Sequence, residues 1–450
     1  DLVSSRGLGD VYKRQNKSSP SVPKDYSIMS LGGGIISINF SNDESATEYE
    51  VFEVASDTSQ GRSVGKFLKS PILIQDLNDN IPYYYKVRAI NQFGISEFTE
   101  LLGSTPSPSK SKVLIVNGFD RISGTTNTFD FIHEHGNAIF INGYTFDASS
   151  NDAIINGSMK LSDYGIVDWI LGEEGTATSA FDEKEKNLLQ EYVLNGGRIL
   201  ISGSEIGYDL SEKGNNSDKI FYENILKAEY VSDAAGGTGG VYEIEGTSNS
   251  LFDGYVFNFD NGENGNYDVD WPDGIKPAGD AVNILKYKNV DYETKGGAGI
   301  AYRGSFLNSK TPSGIVYLSV GFESIYPEQI RTDIMDEILQ FLEAPIASVI
   351  DTDPVVPEGL NISALYPNPS NRSISIEFTV RELSPIAFLT ITDLMGREVF
   401  RMSALSLPTK IQRFNWNGLT KNGTKAPSGV YIVYLSQGKK IVNKKFTLLK

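Results

Sequence analysis

The chain of 450 residues is too long for a single hydrophobic core, which predicts two to four domains. Its net charge of −17 argues against nucleic acid as a partner, and the lack of cysteine excludes disulfides, thiolate nucleophiles and cysteine-ligated zinc. No apolar run reaches the length of about 18 residues that spans a bilayer, so no transmembrane segment is predicted.

The charge is unevenly distributed along the chain. Residues 361–450 carry 13 Lys and Arg against 4 Asp and Glu, a net charge of +9. The remainder carries 27 basic against 53 acidic residues, a net charge of −26. A basic tail on an acidic body predicts a separate C-terminal module with its own partner.

The first 15 residues are predicted not to belong to the native protein. Residues 5–15 read SRGLGDVYKRQ, and one frame of a common transposase sequencing adaptor translates to the same string. We therefore interpret residues 1–15 as an adaptor artefact rather than a Gly-rich leader, and expect a signal peptide and upstream domains to have been lost. Residues 16–23 are predicted to be a linker.

Short strands with period-two alternation fill residues 24–104, as in ISINF, YEVFEV and YYYKVRAI. This segment resembles a fibronectin type III domain through Phe40, Leu77, Tyr83 and the run from Val87 to Asn91. The resemblance implies a β-sandwich with a tyrosine corner, serving as a structural spacer. Residues 105–111, TPSPSKS, are predicted to be a linker.

Strands and helices alternate through residues 112–344. We predict strands at 113–116, 138–141, 166–171, 199–202 and 315–320, and helices at 127–135, 182–195 and 328–343. Gly136 is taken as the stop of the first helix. The alternation predicts an α/β doubly wound parallel sheet of the flavodoxin-like class, interrupted by a β-rich insertion at about 230–303.

This middle region resembles the class I glutamine amidotransferase-like superfamily, in its secreted xanthan-lyase-like branch. The resemblance rests on the runs 112–120, 167–174 and 197–207. True members place a cysteine at the centre of a G-x-C-x-G turn, whereas this turn, residues 203–207, has Glu205 there. His133 and His135, predicted at the end of the first helix, would lie at the opposite edge of the sheet. Glutamine hydrolysis is therefore not expected.

Carboxylates follow the predicted strands where their carboxyl ends meet. They are Asp120, Glu173, Glu174, Glu205 and Glu323. One interpretation makes Glu205 and Glu174 an acid/base pair beside Ser204, with the other three binding sugar hydroxyls or a cation. The alternative is a solvated acidic rim.

A second acidic stretch lies at 260–273. Asp260, Asn264, Asn266 and Asp268 have spacings found in calcium loops, but position 262 is glycine and no closing Glu follows, so a metal-free loop is the stronger interpretation. Calcium is the only cofactor that the sequence suggests. Tyr267 and Trp271 are candidates for stacking on a sugar, or simply core.

A linker is predicted at 345–359. In residues 360–450 apolar and polar residues alternate with the period of β-strands, which predicts a second β-sandwich. This tail resembles the type A sorting domain of the type IX secretion system. The resemblance is carried by Tyr366, Pro367, Asn368, Pro369, the run 391–399, the run 415–418, Gly429, Tyr431, Lys444 and Lys445. It implies recognition by an outer-membrane translocon and delivery to the cell surface or the extracellular space; a plain adhesive domain is the alternative.

The functional hypotheses are three. The first is a surface protein with a degenerate, non-catalytic middle domain in a binding or scaffold role. The second is a hydrolase or lyase acting on extracellular polysaccharide or cell wall through the carboxylates at the sheet edge. The third places any chemistry in a segment upstream of this one, with these residues as its scaffold.

Overall fold

The computed structural model describes residues 18–55, 61–122, 124–175, 178–307, 309–344, 360–371, 373–380, 387–404, 412–421, 424–437 and 440–449. Residues 1–15 and the predicted linker 345–359 lie outside this set. The described residues are mostly β-structure, in several sheets with few helices. No helix among them is long and apolar enough to cross a membrane.

The first group of strands forms a two-layer sandwich. Its strands are β1 (Lys24–Gly32), β2 (Ile35–Ser41), β3 (Glu48–Glu53), β4 (Arg62–Phe67), β5 (Ile72–Ile74), β6 (Tyr83–Asn91), β7 (Gly94–Ile95) and β8 (Leu102–Ser104). One layer contains β1, β2 and β5, and the other contains β4, β3, β6 and β7, with β8 paired to β6. The Tyr83 hydroxyl accepts the Asn78 N–H at 3.1 Å, the upstream bond expected of a tyrosine corner.

The second group contains every described helix. Its elements are β9 (Val113–Asn117), α1 (Ile132–Ile141), β10 (Phe146–Ser150), α2 (Asn151–Ile155), β11 (Ile166–Gly172), α3 (Glu183–Leu194), β12 (Arg198–Gly203), α4 (Asn216–Asn224), β13 (Ala228–Ser232), β14 (Glu243–Gly246), β15 (Val256–Phe259), β16 (Gly274–Pro277), β17 (Val282–Tyr287), α5 (Tyr292–Lys295), β18 (Gly299–Ser305), β19 (Pro312–Leu318), β20 (Ile325–Tyr326) and α6 (Glu328–Glu343).

Five of these strands lie side by side in parallel, in the order β10, β9, β11, β12, β19. Residues of β9 alternate between two cores: Val113 and Ile115 pack with α1 and α6, whereas Leu114 and Val116 pack with α2, α3 and α4. Both faces of this sheet are therefore covered by helices, which explains the continuous apolar run of β9.

The predicted insertion extends the same sheet. Beyond β19 the strands β18, β17, β14, β15 and β20 follow in antiparallel pairing, and β13 with β16 forms a separate two-stranded sheet. This antiparallel half brings the loop 260–273 back to the carboxyl edge of the parallel strands, where Asp273 N–H donates to the Ser204 carbonyl at 2.9 Å.

The sandwich is joined to the parallel sheet rather than separated from it. Strand β1 pairs antiparallel with β10, opposing Ser27 to Ser149 and Ile28 to Ala148, so that 13 strands form one sheet. The segment 105–111 differs from the exposed linker that we predicted. Thr105 and Ser107 are buried, and the Thr105 N–H donates to the Phe146 carbonyl at 2.9 Å.

Asp147, on β10, holds this junction together. Its carboxylate accepts hydrogen bonds from the Ser30 N–H at 2.8 Å, the Ser104 hydroxyl at 2.7 Å, the Ser111 hydroxyl at 3.2 Å and the Tyr164 hydroxyl at 2.8 Å. Only 3% of the residue is exposed. Burial raises the pKa of Asp147, and these hydrogen bonds oppose that effect.

The third group forms a separate sandwich. Its strands are β21 (Asn361–Tyr366), β22 (Ile374–Thr379), β23 (Ala387–Asp393), β24 (Glu398–Ala404), β25 (Gln412–Trp416), β26 (Gly429–Gln437) and β27 (Lys440–Leu448). Strands β21, β22 and β25 face the layer of β24, β23, β26 and β27. Trp416, Tyr431 and Phe446 meet between the layers with ring centroids 5.7 to 5.8 Å apart.

Replacing Asp147 with alanine is expected to lower the free energy of unfolding of the full chain by about 3 to 5 kcal/mol, because it strips four donors of their acceptor in a buried junction. Chemical denaturation followed by tryptophan fluorescence measures the change. The control is Asp163→Ala, since Asp163 is over half exposed and its pair with Lys110 at 3.4 Å is worth at most about 1 kcal/mol. Equal losses in the two variants would contradict the role assigned to Asp147.

Candidate functional site

Four segments meet where the parallel strands β9, β11, β12 and β19 end. They are residues 118–121, 173–175, 204–207 and 319–324, one after each strand. Because these strands are parallel, the segments share one edge of the sheet, where ligands bind in open α/β sheets. We refer to this region as the sheet edge.

Glu205 occupies the centre of the turn after β12 and faces Arg121. The distance from Arg121 Nη1 to Glu205 Oε2 is 3.4 Å, and the two side chains are only 10% and 13% exposed. Arg121 also donates to the Glu173 carbonyl at 2.7 Å, which fixes its guanidinium between two segments. Burial raises the pKa of Glu205 to about 7, the Arg121 charge opposes that rise, and Glu173 adds to it.

Glu174 is bonded to the turn after β9. Its Oε1 accepts the N–H of Asp120 at 2.6 Å and the N–H of Arg121, and its Oε2 accepts the Thr178 hydroxyl. The residue is 2% exposed. Burial raises its pKa, which the Thr178 bond counteracts. With both oxygens used to hold backbone and hydroxyl donors, Glu174 lacks the free carboxylate that our predicted acid/base role requires.

Ser204 is not placed as a nucleophile. It is 3% exposed, and both its N–H and its hydroxyl donate to the Gly172 carbonyl, at 2.8 and 3.3 Å. These bonds join β12 to β11. A serine nucleophile needs a hydroxyl that faces substrate and a neighbouring base. The catalytic role predicted for Ser204 is therefore wrong in this geometry.

Asp273 caps the same turn from the antiparallel half of the sheet. Its Oδ2 accepts the N–H of Gly207 at 2.6 Å and of Tyr208 at 3.1 Å, and the residue is fully buried. Burial raises the pKa of Asp273, against the pull of these two bonds. Asp273 is not among the predicted site residues, because its contact with a turn 66 residues away in the chain cannot be inferred from a local sequence pattern.

The first helix begins and ends later in the chain than predicted, and this changes the position of its two histidines. Helix α1 runs from Ile132 to Ile141, so His133 and His135 lie in its first turn, at the sheet edge. The predicted strand at 138–141 belongs to this helix. Gly136 does not end the helix: a Cβ there would lie 2.6 Å from the Phe146 ring and 2.7 Å from the Tyr84 hydroxyl, so glycine permits close packing.

His135 lies between two carboxylates in the interior. Its Nδ1 is 2.7 Å from Asp168 Oδ2 and its Nε2 is 3.2 Å from Glu323 Oε2, with all three side chains at most 2% exposed. Burial alone would lower the pKa of His135, but Asp168 and Glu323 outweigh it and raise that pKa to about 9. The ring is therefore an imidazolium that donates both of its protons.

Two residues predicted to bind ligand belong to this buried network. Glu323 is fully buried, and Tyr267, 2% exposed, donates its hydroxyl to Glu323 Oε1. Neither side chain reaches a ligand at the surface, so both binding predictions are wrong. Trp271 is 40% exposed and remains accessible near the sheet edge.

The five predicted edge carboxylates thus separate into four environments. Glu173 and Glu205 stay together around Arg121, and Thr125 donates its hydroxyl to Glu173. Glu174 and Glu323 are each buried, in two separate hydrogen-bond networks. Asp120 is exposed on the side nearest the first sandwich, and its Oδ2 accepts the Asn151 amide at 2.9 Å.

The loop suggested as a calcium site satisfies its own carboxylate. Asp260 accepts the backbone N–H groups of Glu263, Asn264 and Asn266, each at 2.9 to 3.0 Å. The Asn266 side chain donates to the Glu323 carbonyl, and Asp268 accepts the Tyr242 hydroxyl. Within the described ranges no group of three or more His, Asp or Glu side chains could hold a metal ion.

The tail motif is attached to the last strand. The Asn368 amide oxygen accepts the Thr447 N–H at 3.0 Å, and its amide nitrogen donates to the Lys445 carbonyl at 3.4 Å. The Tyr366 hydroxyl donates to Glu377 at 2.6 Å, and the Lys444 amine donates to the Ser363 carbonyl at 2.8 Å. The run from Tyr366 to Pro369 and the basic strand β27 therefore form one surface.

Comparison with known families concerns this tail. Residues 364–448 match the family model described as "Secretion system C-terminal sorting domain". The match confirms the sorting-domain prediction and indicates a protein exported by the type IX secretion system to the cell surface or the extracellular space. No curated protein matches the chain.

Several solved structures are similar to parts of this chain. The crystal structure of FN3tt is 22% identical, over 20% of this chain and 99% of its own, with a TM-score of 0.19. The sixth fibronectin type III domain of human fibronectin type III domain containing protein 3 is 20% identical, over 21% and 91%, with a TM-score of 0.18. PorZ, a surface component of the type IX secretion system of Porphyromonas gingivalis, is 24% identical, over 19% and 11%, with a TM-score of 0.15.

These similarities carry no argument about function. This chain spans only 11% of the length of PorZ. The resemblance of residues 112–344 to glutamine amidotransferases receives no support from the comparisons.

Removing the Arg121 charge by Arg121→Met is expected to raise the pKa of Glu205 above its value of about 7, because an opposite charge nearby favours the ionised carboxylate. Titration of the Glu205 carboxyl ¹³C resonance in the full chain measures the midpoint. Arg198→Met is the control, since Arg198 begins β12 at the other end of the strand and should leave the midpoint unchanged. A midpoint that stays or falls in Arg121→Met would show that the ion pair is not formed in solution.

Proposed function

We propose that this chain is a surface protein whose first sandwich and α/β region serve a binding or scaffold role without acid/base catalysis at the sheet edge. The sorting domain delivers this body outside the cell. The observation that carries the proposal is the turn at residues 203–207, where Glu205 pairs with Arg121 and Ser204 is buried.

The histidines support the same conclusion. A general base must be able to accept a proton, and His135, with a pKa raised to about 9 by Asp168 and Glu323 against the effect of burial, already carries one at neutral pH. The chain has only two histidines and no cysteine. No nucleophile–base pair of the amidotransferase type is therefore available at this turn.

We also propose the division of the chain into a fibronectin type III sandwich at 24–104, an α/β domain at 112–344 and a sorting domain at 360–450. The parallel order β10, β9, β11, β12, β19, in which the second strand precedes the first, supports placing the α/β domain in the flavodoxin-like class. Its likeness to amidotransferases is retained only as part of this proposal.

The second candidate is a hydrolase or lyase that acts on extracellular polysaccharide or cell wall. One observation favours it: burial raises the pKa of Glu205 to about 7, against the Arg121 charge, so its carboxyl is partly protonated near neutral pH, as a general acid must be. Arg121 and Glu173 would then orient the acid rather than neutralise it.

Incubation of the full chain and of Glu205→Gln with a panel of polysaccharides and peptidoglycan distinguishes the two candidates. We expect no new reducing ends or unsaturated products from either protein, because the edge lacks a second free carboxylate at the position of Glu174. Product formation that falls at least about 100-fold in Glu205→Gln would overturn the non-catalytic proposal and establish Glu205 as an acid or base.

Deleting residues 360–450 is expected to leave the protein inside the cell envelope, whereas Glu205→Gln should reach the surface like the unaltered chain. Surface labelling and fractionation of a host that carries the type IX system measure delivery. Asn368→Ala is a finer variant, since it removes both bonds that attach the tail motif to β27. Delivery of the truncated chain to the surface would contradict the assigned role of the sorting domain.

A further inference from the structure

Strand β27 lies at the edge of its four-stranded layer. It pairs with β26 along its full length, from Lys440 to Leu448, and has no strand on its other side among the described residues. The backbone N–H and C=O groups on such an edge can pair with a strand of another chain, which makes an uncovered edge a site of self-association.

The side chain of Asn368 takes the place of a strand residue on this edge. Its amide oxygen accepts the Thr447 N–H at 3.0 Å, and its amide nitrogen donates to the Lys445 carbonyl at 3.4 Å. A backbone residue in a parallel neighbouring strand forms the same two bonds, to the residues before and after its partner. Asn368 therefore occupies the position of a parallel strand residue opposite Phe446.

The backbone continues this register at Ser370. Its N–H donates to the Thr447 carbonyl at 2.8 Å, and its carbonyl accepts the Leu449 N–H at 2.6 Å. Ser370 and Leu448 form a parallel bridge, and Ser370 is fully buried. The Asn368 side chain and the Ser370 backbone thus cover the end of β27 together.

Residues 367–370, which we call the strap, cannot extend the sheet further. Pro367 and Pro369 alternate with the two residues that bond to β27, so they occupy the positions that would face a further strand. Proline has no N–H to donate to such a strand. The strap therefore ends the sheet instead of offering a new edge.

The part of β27 beyond the strap is short and positively charged. Outward backbone groups alternate along a strand, so beyond Lys445 the next ones belong to Asn443 and Ile441. Lys440 and Lys444 lie beside them, and all of these side chains are exposed. Lysine on a short edge opposes pairing with a second strand. The strap protects one end of this edge, and lysine protects the other.

We propose that the strap keeps the sorting domain from pairing with a second copy of this chain through β27. Without the strap, the uncovered edge lengthens to residues 441–449, within the usual strand length of about 3 to 10 residues. Both copies bring lysines to the contact, so pairing should strengthen as salt screens their charges. The inference goes beyond the proposed function, because it concerns self-association and neither delivery nor catalysis.

Sedimentation velocity of the full chain and of Asn368→Ala tests the proposal. In about 0.5 M NaCl, where the screening length is about 4 Å, we expect the variant to form dimers with a Kd at least about ten-fold lower than that of the unaltered chain. Lowering the salt should weaken these dimers. The control is Asn371→Ala, which removes an exposed asparagine just outside the strap and should behave like the unaltered chain.

A second change identifies the edge that forms the contact. Asn368→Ala/Asn443→Pro also removes the outward N–H of residue 443, which proline substitution does without loss of a bond to β26. We expect this double variant to return to the self-association of the unaltered chain.

Hydrogen exchange of the Thr447 amide reports the strap independently of association. Its acceptor is the Asn368 side chain, so Asn368→Ala should speed its exchange at least about ten-fold. The Phe446 and Leu448 amides face β26 and should exchange as slowly as in the unaltered chain, which shows that the domain remains folded.

Three results would overturn the proposal. The first is equal self-association of the unaltered chain and Asn368→Ala. The second is association of Asn368→Ala that persists in the double variant, since the contact would then lie elsewhere. The third is faster exchange at Phe446 and Leu448 as well, since the strap would then hold the domain together and not guard its edge. None of these measurements bears on surface delivery or hydrolysis, which test the proposed function.

Discussion

The pairing of β1 with β10, fixed by the buried carboxylate of Asp147, is the constraint on which the arrangement of the body depends. A lone carboxylate in an interior is costly, and here four donors from the sandwich, the connecting segment and the α/β region compensate it. The same junction packs residues 105–107 and sets the position of the sandwich against the sheet edge. The sandwich is therefore part of the body rather than a spacer.

Burial is the dominant electrostatic effect throughout this acidic body. It is the largest cause of the raised pKa of Glu100, Glu185 and Glu205, and nearby carboxylates reinforce it in each case. At His135 burial does not decide the pKa. The charges of Asp168 and Glu323 stabilise the imidazolium by more than burial in the interior destabilises it. His135 is thus a buried cation held between two carboxylates, whereas the carboxyls of Glu100, Glu185 and Glu205 are only partly compensated.

Much of the fold could be predicted from periodicity. Helix α6 has the predicted limits, and Asp182 and Asn195 flank α3 as its caps.

The errors in the predicted fold and site have physical causes. The prediction that Gly136 ends the first helix is wrong, because the absence of a side chain there allows close packing against Phe146 and Tyr84. The same error placed His133 and His135 at the wrong edge of the sheet. The burial of Ser204 and Glu174 depends on bonds to distant backbone groups, which a local motif does not encode. Glu205 was found because the turn around it has a recognisable pattern of glycines.

The continuous sheet also limits how the first sandwich and the α/β region can move relative to each other. Strand pairing and the Asp147 carboxylate join them, so a rotation of one against the other would break backbone and side-chain hydrogen bonds. Unfolding of one unit therefore removes a strand partner from the other, and the two are expected to lose their structure together.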